Sequence, residues 1–294
     1  MAVKSSGSLS FREIKNEFGF LPDKKFGNYR ISETVGAMTN LPLDTGIPQS
    51  GAIKFSDFYG KKQNIIVDLF SGNTEQSVDA KSIFNSNKVV ILGDGPKPTN
   101  TGDKKVIVHV NKLVQSQKSS DNKRVALLTG NWDNGTDFTI NVGSAGTISG
   151  TGGNGGSGAN AGNNRGADGE SGTSAIGVND SDLTVKIQNN GLIRTGFGGG
   201  GGGAGRGESR KSGKKSSKWC TSSGGGGGGG LGYPIGAGLG GPSPQDADQG
   251  SNGTAGGAGE QNNGGTGGGS VDASGGGNGG DTASGATAAR APSG

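Results

Sequence analysis

A single cysteine, Cys220, excludes an intrachain disulfide framework and fits a protein made and assembled in a reducing cytosol. A single histidine, His109, leaves little for acid-base or triad chemistry, and nothing in the sequence singles out partners for it. The longest strictly aliphatic run is Val89 to Leu92, and the N-terminus lacks the apolar stretch of a signal peptide, so neither a membrane-spanning helix nor a secretory leader is expected. Only 28% of the residues are hydrophobic and 5% aromatic. The formal charge of +4 over 294 residues is too small to imply nucleic-acid binding.

What the chain has instead is glycine, and it is unevenly placed. Of 66 glycines, 13 lie in residues 1–142 and 53 from residue 143 onward. The strict Gly-X-Y period and dense proline of collagen are missing, since the second half holds only Pro234, Pro242, Pro244 and Pro292. Composition by itself labels such a segment low complexity.

The first sixty residues echo themselves: SGSLSFREIKNEFG at 6–19 and SGAIKFSDFYG at 50–60. Ser10 and Glu13 stand at capping-box spacing, Phe11, Ile14 and Phe18 fall on one helical face, and Gly19 supplies a stop. The second copy offers Ser56 before Asp57, with Gly60 as its end. Two short helices joined by an extended segment punctuated by Pro22, Pro42 and Pro48 are expected, with aromatic faces that need a partner or each other. From Asn64 the texture changes to short β signals at 64–70, 88–92, 105–110 and 124–130, with turn chemistry at Gly93-Asp94-Gly95, which reads as a small β-sandwich or β-prism.

A repeat follows. FTINVGSAGTISGTGGNGG at 138–156 aligns without a gap to LTVKIQNNGLIRTGFGGGG at 183–201, matching Phe138 to Leu183, Ile140 to Val185 and Val142 to Ile187. Each copy is a half-buried strand feeding a glycine run, and a plain linker needs no such strand. Glycine loses the most backbone entropy on folding, so isolated polyglycine is costly to order. In a bundle of polyglycine II helices, with three residues per turn and no side chains, neighbouring backbones can exchange hydrogen bonds throughout. The candidate runs are 150–158, 196–207, 224–241, 250–269 and 274–285. The expected fold is mainly β with a small helical N-terminal module and a polyglycine II bundle fed by short strands. The expected segments are 1–62, 63–142 and 143–294.

Between two glycine runs lies the only strong local field: Arg206, Arg210, Lys211, Lys214, Lys215 and Lys218 against one acid, Glu208, with Trp219 at the end. Such a segment can bind phosphates, acidic sugars or an acidic protein surface, or remain a solvated loop. Tyr233 and Ile235, apolar residues in otherwise featureless glycine, read as contact residues. GESRKSGKK at 207–215 misses the phosphate-binding loop twice, with five residues between Gly207 and Gly213 and Lys215 where Ser or Thr belongs. No metal-ligand spacing exists, and no metal, cofactor or catalytic residue is expected.

Two resemblances bear on these patterns. ISETVGAMTNLPLDTGIPQSGAIKFSDFYG, residues 31–60, resembles a short module of tailed-bacteriophage virion proteins that ends in Ile-x-Phe/Leu-Ser-Asp-Phe-Tyr-Gly. The glycine-rich half resembles the distal adhesins at the tips of long tail fibres in T-even-like phages. In those proteins polyglycine II helices form a layered sandwich and the loops between them touch the host. The resemblance implies a tail adhesin whose loops at 208–223, 231–239 and 242–249 bind an outer-membrane protein or a surface polysaccharide. It implies virion attachment through the N-terminal module, with Phe11, Ile14, Phe18, Phe55, Phe58 and Tyr59 as contacts to other tail proteins, and assembly in the host cytoplasm. The tryptophan-rich attachment segment of that family is missing here, which leaves fibre, tail tip or baseplate open as the docking place and a single cap or a homotrimer open as the stoichiometry. A structural tail or baseplate connector without host contact is the alternative, and a depolymerase would need paired carboxylates that do not stand out.

Overall fold

The computed structural model describes residues 2–19, 25–117, 124–160, 165–211, 218–222, 224–229, 255–258 and 265–269. Among them the chain is mainly β, with two short α-helices. It divides into two compact units: Met1–Val114 with Leu127–Ile148 and Ile176–Ile193, and Gln115–Ala126 with Ser149–Ala175 and Arg194–Gly294. The expected segments 1–62 and 63–142 thus fall mostly in the first unit, and 143–294 is shared between the two.

The first helix, α1 (Phe11–Phe18), forms where the capping box predicts it. The Ser10 hydroxyl accepts the Glu13 amide at 3.3 Å, and Glu13 Oε2 accepts the Ser10 amide at 2.7 Å. A hydrogen bond from Lys4, with those from Ser10, lowers the Glu13 pKa to about 2. The helix buries Ile14, Glu17 and Phe18. Glu17 is not stranded there: Lys104 Nζ lies 2.5 Å from Oε2, and the Gln63 amide donates to Oε1 at 2.6 Å. Gly19 ends the helix at φ +85, and a Cβ there would lie 2.2 Å from the Asp94 carbonyl carbon, so only glycine lets the two backbones meet. The second expected helix is a 3-10 turn, Phe55–Phe58, that starts after Lys54 instead of Ser56; Asp57 Oδ2 caps it by accepting the Lys54 amide at 2.7 Å. Between the two helical pieces lie a further 3-10 turn, Phe26–Tyr29, and an antiparallel pair, β1 (Glu33–Val35) with β2 (Met38–Leu41).

From β3 (Asn64–Leu69) the chain winds in circuits. The first continues through β4 (Glu75–Gln76), β5 (Val78–Asp79), α2 (Ala80–Asn85) and β6 (Val89–Ile91). The second is β7 (Lys105–Val110), β8 (Leu113–Gln115) and β9 (Val125–Leu128); the third is β10 (Asp137–Val142), β11 (Thr147–Ser149) and β12 (Ser174–Gly177). A fourth begins with β13 (Val185–Asn189) and β14 (Leu192–Arg194). Successive circuits stack strand on strand in three sheets, in the orders β13-β10-β7-β3-β6, β14-β11-β8-β4 and β12-β9-β5. In the first sheet β3, β7, β10 and β13 are mutually parallel, and β6 closes its other edge antiparallel to β3.

This stack replaces the expected sandwich or prism. Alternating strands with glycine turns look alike in hairpins and in circuits, and only the pairing partner tells them apart. Parallel registry aligns like residues into ladders: Val67, Val108, Ile140 and Ile187 are successive neighbours. The first three are fully buried, whereas Ile187 on the edge strand β13 is 51% exposed. A second cluster joins α1 to the outer face of β3, with Phe18, Leu43, Phe58, Ile66 and Leu92 among its buried members.

The repeat noticed in the sequence is real but shifts register once. Phe138 pairs with Val185, 47 positions on, and Ile140 with Ile187, so the expected match of Phe138 to Leu183 is displaced by two residues. Beyond the strands the 45-residue offset returns: Cβ atoms added at Gly196, Gly199 and Gly202 would strike the carbonyl oxygens of Thr151, Asn154 and Ser157. The difference is taken up in the connections, 143–146 after β10 but only 190–191 after β13. An even shift keeps every side chain on its own face of the sheet.

In the second unit the glycine segments hold one another by backbone bonds at every third residue. The amides of Gly153, Gly156 and Ala159 donate to the carbonyls of Phe197, Gly200 and Gly203 at 2.7 to 2.9 Å. Gly196, Gly199 and Gly202 donate to Thr173, Glu170 and Ala167, and those three residues' amides run to Thr151, Asn154 and Ser157. None of the described glycines from 143 onward has a positive φ, whereas ten before it do. Glycine serves the second half by lacking a Cβ, not by reaching left-handed backbone. Where the strands give way to glycine, a buried hydroxyl knot closes the transition: the Thr151 amide donates to Ser116 Oγ at 2.9 Å and to Thr173 Oγ1 at 2.6 Å.

Position within the three-residue period should decide tolerance. At Gly199 an added Cβ would lie 2.0 Å from the Asn154 oxygen, whereas at Gly201 the nearest atom is 3.9 Å away. Gly199→Ala is expected to destabilise by about 2 kcal/mol or more, and Gly201→Ala to stay within about 0.5 kcal/mol of wild type, in paired thermal unfolding experiments.

Candidate functional site

The basic segment folds as a hairpin, β15 (Arg206–Lys211) with β16 (Lys218–Ser222). Its antiparallel register sets Arg206 beside Ser222, Arg210 beside Trp219 and Lys211 beside Lys218, with a bulge between Arg206 and Ser209. Lys214 and Lys215, between the strands, lie outside the described residues, as do Tyr233 and Ile235.

The hairpin's base is glycine on both sides. Segment 196–205 leads into β15, and 224–229 follows β16. These legs bond to each other: Gly200 donates to Gly228 and Gly203 to Gly225, both at 2.8 Å. They also approach without room for side chains, since a Cβ on Gly224 or Gly227 would lie 1.9 or 2.0 Å from the oxygens of Gly203 and Gly200. Each leg binds other segments too, Gly224 donating to Ala159 and Gly227 to Gly156.

The residues expected at the virion contact are brought together, chiefly by packing on one another. Ile14, Phe18 and Phe58 are completely buried, and Phe11 packs against them at half burial. Phe58 lies at the hub, with ring centroids 6.1 Å from Phe18, 5.7 Å from Tyr29 and 5.3 Å from Phe26. Phe26 and Tyr29 were not singled out by the sequence pattern, because they sit on a four-residue 3-10 turn too short to show periodicity. Burial pushes the Tyr29 hydroxyl up to about 12, and it donates to the Gly19 carbonyl at 3.1 Å. Tyr59 is half-buried and its hydroxyl donates to the Gly7 carbonyl. Phe55 differs: it stacks on Phe26 at 4.9 Å yet remains 44% exposed.

Residues 74–294, about three quarters of the chain, match the family described as phage tail fibre adhesin Gp38. The chain belongs to that family. Among solved structures it is similar to the gp37-gp38 adhesin tip complex of the bacteriophage S16 long tail fiber, at 18% identity over 98% of this chain and 87% of that one. The TM-score of 0.36 is too low for that likeness to add to the family match. No curated protein matches. The family is one of adhesins and not of enzymes, and it places the chain with the virion tail.

Nothing in this adhesin equips His109 for catalysis. It is completely buried, and both ring nitrogens are engaged: the Ala37 amide donates to Nε2 at 3.1 Å, and Nδ1 lies 3.0 Å from Asn141 Oδ1. Because Nε2 accepts, the proton belongs on Nδ1 and the ring is neutral. Asn141 Nδ2 then donates to Gln188 Oε1 at 3.1 Å, so a polar ladder crosses β7, β10 and β13. Among the described residues no group of three or more His, Cys, Asp or Glu converges as metal ligands would, and no helix is long and apolar enough to cross a membrane.

Burial holds the His109 pKa below its ordinary value of 6.5, against the opposing hydrogen bond to Asn141. The unfolded chain therefore takes up the proton first, and stability present above the ordinary value is lost as the pH falls below it. Urea unfolding of the adhesin at about pH 8 and about pH 5 should show this loss, and His109→Gln should diminish it.

Proposed function

We propose that the adhesin binds a receptor on the bacterial surface through loops carried by a bundle of polyglycine II helices, and that its N-terminal module attaches it to other tail proteins. The three-residue bonding period of the glycine segments supports the polyglycine II reading, because that helix has three residues per turn. The observation that carries the proposal is the hairpin's base. Two glycine legs locked to each other, and to further glycine segments, hold out a strand pair bearing Arg206, Arg210, Lys211, Lys218 and Trp219.

Recognition in this reading is reversible and non-covalent. The cations supply charge-assisted hydrogen bonds to carboxylate or phosphate on an outer-membrane protein or polysaccharide, and Trp219 supplies a flat apolar surface. Lys214, Lys215, Tyr233 and Ile235 belong to the same proposed surface by sequence. Several copies per virion would let weak individual contacts add by avidity. Loading onto the tail precedes host contact and takes place in the host cytoplasm, where a lone cysteine needs no oxidant.

In the N-terminal module, Ile14, Phe18 and Phe58 shape the attachment surface from inside, and the half-exposed Phe55 offers direct contact, together with Phe11 and Tyr59.

Two experiments test this division. Replacing residues 208–223 by a short Gly-Ser loop should abolish or redirect adsorption to host cells while the particle still assembles; unchanged adsorption would remove the hairpin from the receptor site. Phe55→Ser should leave the protein folded but reduce its incorporation into virions. Phe58→Ala should instead lower stability by about 3–5 kcal/mol. Equal incorporation of Phe55→Ser and wild type would place the attachment surface elsewhere.

A further inference from the structure

The β1–β2 hairpin is pinned to the parallel strands at its tip, by one histidine. Val35 pairs with Met38, so Gly36 and Ala37 form a two-residue turn. Gly36 is left-handed at φ +59 and lies so close to two rings that an added Cβ would sit 2.6 Å from Phe70 and 2.9 Å from His109. Ala37 donates its amide to His109 Nε2 at 3.1 Å. That bond is conditional: a backbone amide can only donate, so the bond lasts only while Nε2 carries no proton.

The ring cannot escape by turning over. Its Nδ1 proton goes to Asn141 Oδ1 at 3.0 Å, and Asn141 in turn donates to Gln188 Oε1 at 3.1 Å, so a flipped ring would abandon Asn141. On β3 the neighbour in register is Asp68, whose carboxylate accepts from the amides of Phe70 and Ser71 and from the Ser71 hydroxyl, with Lys112 near it. Around the cavity between β2 and the strands, Lys105 is paired with Asp44, and Lys186 meets Asp137 at 2.7 Å. β10 presents Asn141, and the turn residues Gly36 to Asn40 include no titratable group. Burial is the strongest influence on the ring and disfavours its protonated form; the bond to Asn141 and the Asp68 carboxylate favour it, and the balance holds the pKa below 6.5.

We propose that His109 is an acid-sensitive latch on this hairpin: a proton taken up at Nε2 sets N–H against N–H across the Ala37 contact and releases the Gly36–Ala37 turn from the strands. Val35 and Leu43, on either side, are buried in the apolar cluster of the module, so movement is confined to the turn and β2 between them. Ala37, Met38, Thr39 and Leu41 line a cavity of about 770 Å³ against β7, β10 and β13, so release also opens that cavity. The latched ring resists protonation and the released ring returns towards the ordinary 6.5, so the latched fraction is greatest above that value. The ratio of latched to released protein falls by up to about tenfold for each pH unit below it, until the latched ring itself takes up the proton. Acid thereby changes the shape of the N-terminal module without unfolding it.

His109 is the only histidine, so its ring Cε1–H resonance reports the latch without ambiguity. The full-length, isotope-labelled protein is followed by nuclear magnetic resonance from about pH 8 to about pH 5, with amide exchange corrected for its intrinsic pH dependence. Protection of the amides at 36–39 should fall by about tenfold or more with the same midpoint as the His109 titration, while protection in β3, β7 and β10 holds. His109→Gln, whose carboxamide oxygen accepts from Ala37 at every pH, should keep the turn protected throughout. Should that variant fail to fold, the wild-type comparison decides by itself. Constant protection at 36–39 while His109 titrates, no titration of His109 above about pH 5, or an equal loss across β3, β7 and β10 would overturn the latch. So would the same loss at 36–39 in a folded His109→Gln protein.

Discussion

The structure depends on one constraint: backbones that approach closely enough to leave no room for Cβ. Across the second unit an added methyl at Gly153, Gly155, Gly196 or Gly202 would sit within 2 Å of a neighbouring carbonyl oxygen. Glycine costs backbone entropy on folding, and the offsetting gain is a hydrogen bond for every third amide to each neighbouring segment. An interior made this way contains almost no apolar side chains. This is how the described glycine segments hold together in a chain with 28% hydrophobic residues.

Strands and glycine segments solve a shared problem in sequence order. A glycine run has no side chains to define its register, so register must be set before the run begins. β11 and β14 do this, since each leads directly into a glycine segment and the two lie side by side in one sheet. The Ser116, Thr151 and Thr173 knot lies where one kind of pairing yields to the other, satisfying amides that neither pattern reaches. Slippage by a single residue would put Asn154 or Ser157 where Gly155 or Gly158 now stands, and the contact would fail sterically.

The parts of the chain are held by different means. Aromatic rings locked around Phe58 define the N-terminal module, and Phe55 stays at its surface. The polar face of the parallel strands carries the His109 ladder and its cavity. The basic hairpin is carried between glycine legs that bond to each other. Family membership makes the chain a tail fibre adhesin and leaves the division of labour among these surfaces to experiment.

Local chemistry alone fixed the α1 capping box, the positions of the main β segments, the strand-then-glycine repeat and the basic insertion, because each depends on residues a few positions apart. The N-terminal aromatics were legible as a set, although Phe26 and Tyr29 were hidden on a turn without periodicity. Pairing was decided only in three dimensions. Whether alternating strands form hairpins or parallel circuits depends on partners some 30 to 47 residues away, as the register of β3, β7, β10 and β13 shows. The two-residue slip between Phe138 and Val185 depends on unequal connections that an ungapped alignment cannot contain. The cavity beside His109 was equally illegible, because its walls come from five separate stretches of chain that meet only in the folded protein.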